Sequence, residues 1–166
     1  LTQEKSIALD PPVIRQDNNV YYEGEIIDKY RGHLYGLAID LGTTTVVMDL
    51  VDLETGKSVH VSSFENPQRF GGSDVMNRIS YDGKYRGELR MAVINALNHE
   101  IMVMCKRLDF RRQEIYEIVI AGNSTMRDIF FELDVQGIGQ KPYKSTTEHE
   151  YLAGERDTTS LIVSAR

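Results

Sequence analysis

Asp40 stands inside an apolar run, Leu37 to Leu41, and is followed by Gly42 and by Thr43, Thr44 and Thr45. A second apolar run, Val46 to Val51, leads to the turn Glu54-Thr55-Gly56. Aliphatic and β-branched runs joined by a tight Gly/Thr turn indicate a β-hairpin. A carboxylate near the end of a buried strand is costly unless it is paired, hydrogen-bonded or bound to a metal. The turn offers backbone N–H groups and hydroxyls beside it. That donor set suits a phosphate, and Asp40 suits the Mg²⁺ that accompanies one. Gly42 permits close backbone approach.

A second corner follows the apolar run Glu117 to Ala121. Gly122, Asn123 and Ser124 form a small polar turn ahead of an amphipathic stretch carrying Met126, Ile129, Phe130 and Leu133. The first N–H groups of such a helix are unpaired, so this turn is a second ligand-facing candidate. A third group is Asn66, Gln68, Arg69, Asp74 and Arg78. The expectation for it is a solvated loop with a helix-dipole charge; the alternative is a surface facing a partner. His33, His60, His99 and His149 are scattered without ligand spacing, so no histidine metal site is expected. Cys105 is the single cysteine and falls on the apolar face of a helix, as a core residue. One thiolate forms no disulfide within the chain and cannot hold an iron–sulfur cluster alone.

The elements that must position these residues follow from periodicity. Strands are expected at 34–41, 45–52, 58–64 and 117–121. The first three, joined by short turns, make an antiparallel meander. Ser73 is expected to cap a short helix over 74–80, ended by Tyr81-Asp82-Gly83. The strongest helix runs over 88–108, with Leu89, Val93, Leu97, Ile101, Cys105 and Leu108 at three- and four-residue spacing. Residues 1–33 are polar and broken by Pro11-Pro12 and Asp17-Asn18-Asn19. They suggest a linker or the tail of a preceding domain, with short extended pieces at 20–22 and 25–27. Residues 34–166 form the domain proper. The polar stretch 145–157 is expected to be loose, and a last strand is expected at Leu161 to Ser164.

A net charge of −6 argues against a nucleic-acid partner, which needs clustered Lys and Arg. Lys106-Arg107 and Arg111-Arg112 match a helix C-terminal dipole. No signal peptide or apolar run of membrane length appears, so a soluble cytoplasmic protein is the expectation.

Three antiparallel strands, then helix, strand and helix, make a mixed-sheet α/β half-domain of ribonuclease-H-like topology. A nuclease on that scaffold places carboxylates on the first strand, the helix and the end of the fourth strand. Here the fourth strand ends at Asn123. A nucleotide phosphotransferase or ATPase instead cradles phosphate in the first hairpin, which suits Asp40-Leu41-Gly42-Thr43-Thr44-Thr45.

The string AIDLGTTTVVMDLVDLETG resembles the first phosphate motif of acetate and sugar kinases, heat-shock chaperone ATPases and actin. With FENPQRFGGSDVMNRI and IVIAGNSTMRDIFFELD, the chain resembles, over about Gly36 to Tyr143, the ATPase domain of the reductive activators of corrinoid proteins. The resemblance implies an actin-like ATPase that uses ATP and Mg²⁺ to drive an uphill electron transfer. The electron would pass from an iron–sulfur domain absent from this chain to cob(II)alamin on a corrinoid protein or corrinoid-dependent methyltransferase. The chain would be the first lobe only, inactive by itself, with the second lobe as its partner. By that resemblance, Asp40, Gly42, Thr43, Thr44, Thr45, Gly122, Asn123 and Ser124 bind the nucleotide, with Asp40 at the metal and no catalytic residue assigned. Two other readings are a small-molecule kinase of the same superfamily and a non-catalytic interaction module, including a homodimer.

Overall fold

The computed structural model describes residues 12–161. The described residues form two β-sheets. The first is a meander of β1 (Val13–Gln16), β2 (Asn19–Tyr22) and β3 (Glu25–Lys29). Glu23 and Gly24 both take positive φ between β2 and β3, which is the twist a two-residue hairpin loop needs. The extended pieces expected at 20–22 and 25–27 thus lie within β2 and β3. Val13, Val20 and Leu34 form a small core that Tyr22, Tyr30, Leu53 and Tyr116 cover. The Tyr116 hydroxyl donates to Asp28 at 3.2 Å, joining the two sheets. Burial and the Asp28 carboxylate push that phenol up to about 12.

The second sheet holds β4 (Tyr35–Leu41), β5 (Thr45–Asp52), β6 (Lys57–Glu65) and β7 (Ile115–Gly122), in the order β6-β5-β4-β7. β4, β5 and β6 are antiparallel, and β7 runs parallel to β4. The fold is therefore α/β with a mixed sheet, and all four strands fall close to their expected spans. β4 and β5 alternate, so Leu37, Ile39, Leu41, Val46, Met48 and Leu50 share one face. Against that face pack Leu89, Val93, Leu97, Ile101 and Met104 of α2 (Glu88–Leu108). Met126 and Ile129 of α3 (Ser124–Phe130) complete the core. Each fully buried aliphatic side chain contributes about 1.5–3 kcal/mol relative to an exposed one. Cys105 is half-buried against this core, as expected, and burial pushes its thiol up, away from a reactive thiolate.

Three expectations need correction. The short helix α1 spans Val75–Lys84 and is capped by Asp74, not Ser73: the Asp74 carboxylate accepts from the Asn77 amide at 2.9 Å. It also runs through Asp82-Gly83, because Asp82 is buried and Gly83 packs directly under Gln136. Residues 145–157, expected to be loose, contain α4 (Thr146–Leu152). Its signal is a capping box: Ser145 and Glu148 satisfy each other's backbone amides. The strand expected at Leu161 to Ser164 falls, apart from Leu161, outside the described residues. Among the described residues, no helix is long and apolar enough to cross a membrane.

Candidate functional site

Asp40 is exposed between buried Ile39 and Leu41. It therefore emerges on the sheet face opposite the helices, where its register neighbours are Val47 on β5 and Ala121 on β7. Gly42 follows at the mouth of the β4–β5 turn. A Cβ there would come within 2.6 Å of the Thr45 carbonyl oxygen, so the turn closes only around glycine.

The turn's carbonyls are held by residues of the following segment, Asn66 and Arg78. Asn66 donates its side-chain amide to the Gly42 carbonyl at 2.7 Å. Arg78 donates Nη2 to the Thr43 carbonyl at 2.5 Å. The Asn66 backbone amide donates to the Thr44 carbonyl at 2.7 Å. In a trans peptide the C=O and the next N–H point in opposite directions. The Thr44 amide, in the peptide whose carbonyl Arg78 of α1 holds, therefore faces away from the helix layer, toward the side on which Asp40 emerges. Among the turn and loop hydrogen bonds, none uses the Thr43 or Thr44 amide as donor. Unpaired turn amides near a carboxylate can take an anion together with its cation.

The second corner meets the first. Gly122 lies beside Leu41 in the parallel pairing. Asn123 caps α3, accepting from the Met126 amide at 3.0 Å, and donates to the Thr43 hydroxyl at 3.2 Å. Ser124 is the first residue of that helix. All eight residues singled out for phosphate lie along the adjoining ends of β4, β5 and β7.

Arg78, Asn66 and Gln68 depart from the expected solvated loop. All three are fully buried. Gln68 sits in a turn of 3-10 helix, Pro67–Gly71, and donates to the Leu89 carbonyl at 3.2 Å. The Asn66 side-chain Oδ1 accepts from the Gln68 backbone amide at 2.9 Å. Arg78 also donates Nε to the Gly72 carbonyl at 2.9 Å and lies 3.1 Å from the Met126 sulfur. Burial pulls its pKa down, and Asp74 only partly opposes this. Arg69 and Asp74 are exposed; Arg69 pairs with Glu65. The signal for Arg78 was its place on the inward face of α1 with Val75 and Ile79, at helical spacing.

The histidines do other work. His33 stacks on Tyr35 at 4.8 Å between ring centroids, and its Nδ1 lies 3.1 Å from the Glu114 carboxylate. Among the described residues, no group of three or more His, Cys, Asp or Glu is placed to hold a metal by itself. A cation at Asp40 would thus take its other ligands from phosphate and water.

The family model described as RACo middle region matches residues 35–162. A curated relative, the corrinoid activation enzyme RamQ of Eubacterium limosum, is 36% identical over 113 residues, covering 66% of this chain and 19% of that protein. A solved structure, a reductive activator for corrinoid, iron-sulfur protein, aligns with a TM-score of 0.66 at 39% identity. That alignment covers 73% of this chain and 20% of the other. The chain thus spans about a fifth of the length of these relatives. With 128 of its 166 residues matched, the chain belongs to the RACo middle-region family.

Proposed function

We propose that this chain is the first lobe, residues 34–166, of an actin-like ATPase domain of ribonuclease-H-like topology, within a cytoplasmic reductive activator of corrinoid proteins. One observation carries the ATP reading. The Gly42, Thr43 and Thr44 carbonyls are all held by residues of the following segment, and the Thr44 amide, opposite Arg78, faces the side of Asp40. The Thr43–Thr45 amides would bind phosphate oxygens, with hydroxyls in reserve. Asp40 would hold the cation directly or through water. Asn123, bonded to the Thr43 hydroxyl, would fix the second edge of the site. Mg²⁺, when bound, would neutralise phosphate charge and fix the geometry of the phosphate chain.

The relatives' names support a reductive activation of a corrinoid protein. Nucleotide binding and hydrolysis would drive one electron from a reduced iron–sulfur cluster in another domain to cob(II)alamin on a partner corrinoid protein, giving cob(I)alamin. The protein's task here is binding and orientation; no residue of this chain is assigned to proton transfer.

The test uses the longer protein, with iron–sulfur domain and both lobes. It should hydrolyse ATP faster when a cob(II)alamin protein is present. Equal rates with and without that protein would sink the proposal.

A second reading, an interaction module, is favoured by one surface. Val61, Asp49, Ala38 and Val119 lie in register across the open sheet face; Val61, Ala38 and Val119 are exposed apolar positions on either side of Asp49, and Ile118 is exposed at the β7 edge. Further protein, either another lobe or a second copy, would cover them. A concentration-dependent dimer without nucleotide binding would favour this reading over the first.

A further inference from the structure

We infer that Arg78 is the positioning residue of the Gly42–Thr45 turn, and that its buried charge is balanced by the phosphate bound on the turn's far side. The inference rests on the phosphate reading above and deepens it.

The guanidinium is fully buried, yet all its protein partners are neutral: the Thr43 and Gly72 carbonyls, the Gln68 side-chain oxygen at 3.4 Å and the Met126 sulfur. None of its hydrogen bonds goes to a carboxylate; Asp74, the acidic group that acts on it, is exposed and occupied in capping α1. A buried guanidinium without a carboxylate is costly, and proteins ordinarily pair it. A purely structural tie could use a neutral donor, as Asn66 does for the Gly42 carbonyl.

The place of the charge explains its choice. Arg78 holds the oxygen of the Thr43–Thr44 peptide. The N–H of that same peptide points the opposite way, toward the side of Asp40. A cation on the carbonyl end polarises the peptide and strengthens its amide as a donor, because hydrogen bonds in series reinforce one another. The arrangement is a relay: guanidinium, peptide, anion. It lends positive charge to the turn without placing a flexible cation in the site, where it would compete with Mg²⁺. Asn66 and Gln68 brace the relay, since Gln68 contacts both Arg78 and Asn66.

The test compares Arg78→Lys with Arg78→Gln in the full chain. Neither reproduces the planar fork, so both should lower Tm by similar amounts. Binding of Mg·tripolyphosphate and of Mg·ATP is read from the ¹⁵N amide shifts of Thr43, Thr44 and Thr45. The Gln variant should bind both probes at least about tenfold more weakly, the loss expected for one charge-assisted interaction. The Lys variant, which keeps the charge, should stay within about threefold of the parent. Equal loss for the two probes places the effect on phosphate and not on adenosine. Affinities that follow Tm in both variants, or any other ordering, overturn the inference while leaving the phosphate reading intact. If the parent chain shows no shift at these amides with either probe, the phosphate reading fails and the inference falls with it.

Discussion

Asn66→Ala separates a buried brace from a solvated loop. Asn66 has no exposed surface, donates to the Gly42 carbonyl at 2.7 Å and accepts from the Gln68 amide at 2.9 Å. Truncation leaves a carbonyl and an amide without these partners. Each such group costs about 1–3 kcal/mol when water cannot replace the partner. Partial solvation of the half-buried Gly42 discounts that sum, so the expected loss is about 2–4 kcal/mol. In a protein of this size, Tm should then fall by about 5–15 °C. Thermal and urea unfolding should agree, with the urea slope unchanged. Asn66→Asp adds a sign test. Its ionised carboxylate faces the Gly42 carbonyl with no donor, whereas the protonated form can donate. That variant should therefore recover part of its lost stability as pH falls toward 4. A loss below about 0.5 kcal/mol for Asn66→Ala would match an ordinary surface substitution and refute the reasoning.

Gly42→Ala should destabilise by about 1–3 kcal/mol, the usual cost of forcing an atom into filled space, because the added Cβ meets the Thr45 carbonyl oxygen; chemical denaturation measures it, and a neutral effect would show that the turn opens freely. Asn123→Ala should cost about 1 kcal/mol through loss of the α3 cap, and should loosen the Thr43 side chain, seen in its χ1-dependent couplings. Asp128 is fully buried; one carboxylate oxygen bonds to Arg127 Nε at 2.6 Å and the other has no partner. Burial raises its pKa above the ordinary aspartate value of 3.8, although Arg127 opposes this. The native state then holds its proton to higher pH than the unfolded chain does. This contribution to stability is complete below that ordinary value and is lost as pH rises through the native pKa. Asp128→Asn should remove that decline, giving a flatter stability–pH curve in the acid range; an unchanged curve would show that Asp128 does not titrate differently on folding.

Much of the fold was legible because its signals are local. Leu37–Leu41 and Val46–Val51 are short apolar runs around a Gly/Thr turn, and α2 repeats its apolar residues at helical spacing. What was not legible depended on distant partners. Arg78 and Thr43 are separated by 35 positions, and an arginine at an inward helical position does not reveal which distant carbonyl it will hold. Gly83 reads as a helix end, yet packing against Gln136 carries α1 through it. α4 did announce itself, through Ser145 and Glu148, but its polar composition masked the capping box. Within the candidate site, residue types pointed to Asp40, the threonine turn and Asn123. The sequence could not show that the turn's carbonyls are anchored from behind, since that needs Asn66 and Arg78 brought across from the next segment.

The role proposed for the Gly42–Thr45 turn and Asp40 is to receive the phosphates of Mg·ATP. The most direct measurement is a titration of the ¹⁵N-labelled chain with Mg·ATP, followed at the backbone amides, with Asp40→Asn as the control. Saturable shifts are expected, centred on Thr43, Thr44 and Thr45, extending to Asn123, and weakened in the control. No shift at these amides up to millimolar Mg·ATP, or shifts centred elsewhere, would contradict it.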